Sequence, residues 1–492
     1  MSIKPLYYSQ FGAVGNGIAD DFAAIIRAHA AANEAGLPVC AEPAAVYYIG
    51  GSDMTAEVQT DTDWNTARFI IDDTNVENRN HPVFKIASKL APIQIKDTNS
   101  LVKNQEKLDT ALLYDSLIVA IDNTTKRYIR EGANQDSGTE QTDVFVISKD
   151  GYVDPNTAII WDFNNITSLT AHPIDSQTLV ITGGHFTTIA NGEVAEYKYF
   201  ERNICIQRSN TVIDGLTHVL EYGKQTQSAP YGGFISIRNC AGITIQSCKL
   251  SAHKIFYTTG AGGEPVSMGT YDILAEKAVN LLFKNCRQLN DITDDTTWGI
   301  FGSNFTKNIT FDTVSFSRFD AHKGTTNAVI INSEIGHMGI LLIGSGLCRI
   351  ENTKVHGNRF VNLREDYGST WDGEIIIRNC EYTPGKKAYE HGVVVIDAHY
   401  TGLHDFGYTC HMPGKITIDN LIINDDKAPD NYHGPRILPS LYVGYDDRPF
   451  VEKYPYVLPK DIRITNISTK SNIPWVLSDS MDLYRDALFF YD

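Results

Sequence analysis

Seven short phrases constrain this chain more than anything else in it: ITIQSCKL from Ile243, LLFKNCRQL from Leu281, ITFDTVSF from Ile309, AVIINSEI from Ala328, CRIENTKV from Cys348, IIIRNCEY from Ile375 and ITIDNLII from Ile416. Each alternates apolar and polar residues, then places a small or polar residue where the chain must bend, which is the period of a half-buried strand. Aligned, they put Cys248, Cys286, Val314, Ser333, Thr353, Cys380 and Leu421 in one column, at steps of 38, 28, 19, 20, 27 and 41 residues. A short unit carrying insertions of variable length is the pattern of a parallel β-helix, in which no coil buries its apolar face alone and stacked coils bury a continuous column. The 492 residues therefore do not require several compact domains. The expected division is a cap and first rung over 1–50, early rungs with an irregular insertion over 51–178, the main helix over 179–469 and a C-terminal cap over 470–492. Within the insertion, KLDTALLYDSLIVAI reads as strand or short helix, and REGANQDSGTEQTD as an exposed loop.

A solenoid has open ends, and an open sheet edge invites aggregation. The stretch FGAVGNGIADDFAAIIRAHAAANEAG from Phe11 supplies a cover. Asp20 and Asp21 stand where a helix begins, Phe22, Ile25, Ile26 and His29 share one face, and Gly36 stops the helix. FGAVGNGIADDFAAI also resembles the FGA-x-G-DG-x-x-DD-x-x-AI opening of the pectate-lyase-like right-handed β-helix proteins, which include polysaccharide lyases, glycoside hydrolases and phage tailspike depolymerases. Asn16 stands where Asp is usual. The resemblance implies a right-handed single-stranded parallel β-helix, a polysaccharide partner and, for the particle proteins among them, a homotrimer.

The formal charge of −17 argues against nucleic acid, whose binding draws on Lys and Arg. No apolar run is long enough to span a membrane, and the first thirty residues lack a basic start followed by an apolar core. The expected placement is extracellular or on a virus particle. Eight dispersed cysteines without a CxxC pair read as free thiols, and Cys240, Cys248 and Cys286 lack the ligand quartet of a metal site. No cofactor is expected, Ca²⁺ at Asp294 and Asp295 being the one ion the loop chemistry would suit.

Counted from the strand column, Asp291, Asp320, His337 and Asn358 fall at nearly one angular position on consecutive rungs. Around them QLNDITDDTTW, SRFDAHKG, EIGHMG and NLREDYGSTWDG concentrate Asp, His, Arg, Tyr and Trp. A uronate lyase must neutralise the sugar carboxylate, abstract the neighbouring proton and protonate the leaving oxygen. Its candidates are His337 or His322 as base, Tyr367 as acid or base toward the leaving oxygen, Arg364 and Lys323 as neutralisers, and Asp320 orienting His322. SRFDAHKG is similar to the Asp-Pro-His-Asp motif of β-helix alginate epimerases and lyases, with Ala321 and Lys323 as departures. A hydrolase needs two carboxyls flanking one bond, and Asp291, Asp294 or Asp295 with Asp320 would serve. Gly336-His337-Met338 approximates the Gly-His-Gly of β-helix polygalacturonases. Lyase chemistry is favoured, with hydrolysis and a non-catalytic carbohydrate-binding tail protein as alternatives. Substrate contacts are expected from Trp298, Trp371, Asn358, Arg359, Asp366 and His399, the last in the cluster VVIDAHYTGLHDFGYTCHMPG.

Overall fold

The computed structural model describes residues 4–194, 199–222, 229–440 and 455–491. Among the described residues thirty strands join in one sheet whose neighbours run parallel, wound as a right-handed β-helix with three faces. On one, the isoleucine face, Ala241–Gln246, Val279–Lys284 and Lys307–Asp312 stack in register, placing Ile243, Leu281 and Ile309 in one inward column. A second face begins just past the aligned column: Arg287 pairs with Ser315, Ser315 with Glu334 and Glu334 with Lys354. The third, the groove face, stacks Gly232–Arg238, Tyr271–Glu276 and Phe301–Asn304.

The bend between the first two faces needs a residue in the left-handed region. Asn285, Asn332, Asn352, Asn379, Asn420 and Asn466 adopt φ of 53°, 53°, 49°, 52°, 60° and 53° there, as asparagine does at small cost. Their side chains hydrogen-bond from coil to coil, Asn352 to Asn332 at 3.2 Å and Asn420 to Asn379 at 2.9 Å. The next residue turns inward, so Cys248, Cys286 and Cys380 are buried, and all eight cysteines are unbridged. Aromatic rings fill the wider coils, with Phe69 stacked on Phe186 at 4.6 Å and Phe301 on Phe319 at 5.5 Å.

The helix Phe22–Ala35 buries Phe22, Ile25, Ala28, His29 and Ala32 against the first strands. Asp20 accepts from the Phe22 amide at 3.0 Å, while Asp21 folds back on the Val14 and Gly15 amides. Gly36 ends the helix at φ 64°. At the other end Leu488–Tyr491 pairs with Asp461–Thr469 and adds a strand to the isoleucine face. No helix among the described residues is long and apolar enough to cross a membrane.

The insertion is an antiparallel sheet in the order Thr139–Ile147, Ser116–Arg127, Ser168–Pro173, Ile93–Gln94. KLDTALLYDSLIVAI thus ends in strand, its Ile118 and Ala120 packing into a separate core with Phe145 and Phe163. The opposite side, Leu117, Val119 and Val144, lies on Ala241 and Val279 of the isoleucine face. A buried Lys307–Asp143 ion pair at 2.8 Å pins it.

Candidate functional site

The outer side of the groove face carries three adjoining chambers. Glu201 lines both the first and the second, and Arg318 and Arg364 line both the second and the third. Among the described residues ten stacked strands from Ala56–Val58 to Ile396–Ala398 form this face, a length of about 43 Å at the usual strand spacing. The middle chamber, about 300 Å³, holds Trp298, Arg318, His322, Lys323, Arg364 and Tyr367.

A break in the ladder aims the central residues. Ser303 pairs with Ala321 and Asn304 with Lys323, leaving His322 as an extra residue, and the register slips again before Thr325 pairs with Gly344. Such a bulge turns side chains out of the ladder. Asn304 Oδ1 lies 2.9 Å from His322 Nδ1 and the Tyr367 hydroxyl 3.1 Å from Nε2. Assigned from this network, Nδ1–H donates to Asn304 and Nε2 accepts the Tyr367 O–H. Burial, then the charges of Arg364, Lys323, Arg130 and Arg318, push the His322 pKa well below its ordinary value, so the ring is neutral near pH 7. Burial raises the Tyr367 pKa and keeps its hydroxyl protonated.

Cations surround this pair. Arg318 Nη2 meets Asp320 at 2.6 Å and Arg364 Nη1 reaches the same carboxylate at 3.3 Å, so Asp320 is fully buried beneath two guanidiniums. Asp366 takes Arg364 at 2.8 Å and Arg130 at 2.7 Å. Burial opposes its charge, but those arginines outweigh it and hold the Asp366 pKa below the carboxylate range. Arg130, Lys323 and Arg364 all face the Tyr367 ring, at 5.1, 5.7 and 5.3 Å. Burial lowers the Lys323 pKa. Arg318 Nε and Nη1 and Trp298 Nε1 are buried donors without a hydrogen-bond partner among the described residues. Two glycines make room for this wall: a Cβ on Gly299 would lie 2.2 Å from Arg318, and one on Gly269 would lie 1.8 Å from Trp298.

Arg130 comes from a strap between the strands of the inserted sheet. The Ile129 amide donates to Phe406 O at 3.0 Å, Glu131 to Asp366 O at 3.0 Å, and Gly262 to Ala133 O at 3.1 Å. The strap thus bridges the 399–411 loop and the hairpin Ile255–Thr259/Pro265–Gly269, and REGANQDSGTEQTD begins in the site rather than in an open loop. Arg130 carries no signal in sequence, since it reaches the site on a strap distant along the chain; Arg318 stands inside SRFDAHKG, and only the structure shows that it enters the same chamber.

Of the sequence candidates, His322, Lys323, Arg364, Tyr367, Asp366 and Trp298 gather here, with Asp320 beneath them. Asn358, Arg359 and His399 line the third chamber, about 490 Å³, where Arg359 pairs with Asp397. The structure separates the others. Asp320 registers with Leu341 and Asn362, not with His337 or Asn358, because the corner before the groove face differs in length from coil to coil. His337 sets its ring nitrogens 3.2 Å from Ile292 O and 3.1 Å from Thr297 O, anchoring the insertion before the groove. Asp291 and Asp294 cap local turns through Thr293 and Thr296, and Asp295 is exposed beside them. Trp371 is fully buried, its indole donating to Gly346 O at 2.9 Å. His404 joins the strap at Ile129 O, 3.1 Å away.

Sequence reasoning also misses a buried network: His218 Nδ1 and His253 Nε2 lie 2.8 and 2.9 Å from Asp272 Oδ1. It is the group among the described residues with the make-up of a metal site, but its spacings are those of hydrogen bonds.

No family model and no curated protein matches the sequence. Solved structures do. The chain is similar to the tailspike gp49 of Pseudomonas phage LKA1, with a TM-score of 0.55 and 12% identity over 96% of this chain and 83% of that one. It is similar to the tailspike gp61 of Pseudomonas phage phi297, with a TM-score of 0.53 and 12% identity over 96% and 76%. The gp54 tailspike of Acinetobacter baumannii bacteriophage AP22, solved with an A. baumannii capsular saccharide, gives 0.52 and 9% over 98% and 79%. At these identities the likeness is one of fold, and the fold is a right-handed parallel β-helix.

Proposed function

We propose that the groove binds an extended acidic polysaccharide outside the cell or on a virus particle, and that the chain cleaves it by a lyase reaction. The observation that carries this reading is the convergence of Arg130, Arg318, Lys323 and Arg364 on one chamber of a protein with a net charge of −17. A polyanion is repelled by the chain as a whole, so only a local concentration of cations would hold one. The unpartnered donors of Arg318 and Trp298 suit sugar oxygens. That a tailspike of this fold has been solved with a capsular saccharide supports a glycan as the ligand.

In this reading the arginines and Lys323 neutralise a uronate carboxylate and acidify the proton on the adjacent carbon. Neutral His322 removes that proton, the carbon–oxygen bond at the neighbouring position breaks as the double bond forms, and Lys323 returns a proton to the leaving oxygen. Tyr367 is fully buried and holds the His322 ring. Hydrolysis is less well served, because Asp320 and Asp366 are each bound by two arginines while a hydrolase needs two available carboxyls. Binding without cleavage is the second reading, favoured by the engagement of both His322 nitrogens.

Incubation with uronate-containing and neutral polysaccharides separates the three. Ultraviolet absorbance from unsaturated ends marks a lyase, new reducing ends without it mark a hydrolase, and retention on the polymer with neither marks a binding protein. Loss of cleavage in His322→Gln with binding retained is expected. Undiminished cleavage in that variant would remove His322 from the mechanism.

A further inference from the structure

A second cavity, about 270 Å³, lies away from the groove, between the inserted sheet and the isoleucine face. Its two sides differ in chemistry. Tyr128 and Trp161 of the insertion and Tyr408 of the 399–411 loop give it aromatic walls, with Trp161 and Tyr408 edge to face at 6.2 Å and Tyr128 and Tyr408 tilted at 5.1 Å. The opposite side is polar. Thr326 and Ser345 stand on adjacent coils with their hydroxyls 3.2 Å apart. His411 adds a buried Nδ1 without a hydrogen-bond partner among the described residues. At the rim Lys103 and Asp372 face each other at 3.8 Å.

We infer that this cavity is a binding site for one neutral pyranose unit, distinct from the polyanion groove. A pyranose has an apolar C–H face and a fringe of hydroxyls, which matches an aromatic wall opposed by small hydroxyls and a ring nitrogen. The volume sits just below the range of about 300–1,000 Å³ for pockets that take larger ligands, and so suits one ring. The charge environment points the same way. Lys103 and Asp372 offset each other, and burial lowers the His411 pKa and leaves that ring neutral. The middle groove chamber instead concentrates cations.

This inference does not rest on the groove's function, and its test is separate. Ligand-observed saturation-transfer NMR and calorimetry would be run on the full chain with glucose, galactose, mannose and N-acetylglucosamine, and with galacturonate as the charged control. At least one neutral sugar is expected to bind. Its affinity should fall about ten-fold or more in Trp161→Ala and in Ser345→Phe, which fills the cavity from the floor, and should be unchanged in Lys323→Met. Far-UV dichroism and Tm establish that each variant is folded, and Ser345→Phe decides if Trp161→Ala is not. Absence of binding by every neutral sugar overturns the inference, as does binding that survives both cavity variants. Galacturonate binding that Ser345→Phe abolishes and Lys323→Met spares also overturns it, because the cavity would then take a charged sugar.

Discussion

Asp320 is where the site's chemistry and its stability meet. A buried carboxylate between Arg318 and Arg364 is tolerated because each charge has a partner, and removing one member leaves the others uncompensated in a dry environment. Asp320→Ala is therefore expected to destabilise the protein by about 3–5 kcal/mol, measured by chemical denaturation. A change under about 1 kcal/mol would mean that water already solvates these arginines. Lys323 differs, because among the described residues no carboxylate lies within ion-pair distance of it. Lys323→Met should leave Tm nearly unchanged and weaken binding of an acidic polysaccharide about ten-fold, with a shallower dependence on salt. Equal affinity in wild type and variant at low salt would show that Lys323 does not meet the ligand. His322 sets the pH response of the chemistry. Its depressed pKa places no protonation step near pH 6.5, so the cleavage rate should show no acid limb there.

At the scale of the element, the asparagine turn makes coils stackable. Asn352 combines a left-handed backbone, φ 49°, with a side-chain bond to Asn332. Asn352→Gly loses only the bond, whereas Asn352→Ala loses it and pays the Cβ strain, about 1–2 kcal/mol. Alanine should thus be the more destabilising replacement by roughly 1 kcal/mol, read from denaturant midpoints. The reverse order would show that the turn relaxes out of the left-handed region. This element was legible in sequence, because a small or polar residue after each alternating apolar run marks the bend. The bulge at His322 was not. Nothing in SRFDAHKG distinguishes a ladder that slips from one that stays in register, since the slip is set by how neighbouring coils pair.

At the scale of the molecule, two properties follow from coil stacking. Phe22–Ala35 covers the first coils, so deleting residues 1–36 should expose a sheet edge and produce soluble oligomers or precipitate, seen by light scattering. A monomeric, cooperatively folding product would show that the helix is not needed as a cover. The second property is acid sensitivity. His29 is fully buried beside Tyr8, and burial lowers its pKa to about 3. The unfolded chain protonates such a ring first, near pH 6.5, so stability present above that pH is lost progressively as pH falls toward the folded-state value. Tm should drop between about pH 7 and pH 5, and His29→Gln should flatten that dependence. Parallel curves for the two proteins would assign the acid loss elsewhere.

The fold was legible because a solenoid is a local code. Each coil repeats the alternation that buries Ile243, Ile309 or Ile416 and the turn residue that follows it, so a one-dimensional pattern prescribes a one-dimensional stack. Several candidates were legible by type: His322, Lys323, Arg364 and Tyr367 share a chamber, with Asp320 beneath and Asp366 paired to Arg364. Their partners were decided only by the tertiary structure. Arg130 arrives on a strap inserted two hundred residues earlier, Arg318 turns at a corner, and His337, Asp291 and Asp294 are drawn into turns of their own. Periodicity determines which coil a residue occupies. Corner length, bulges and insertions determine which way it points, and these depend on pairing between coils that no single stretch of sequence contains.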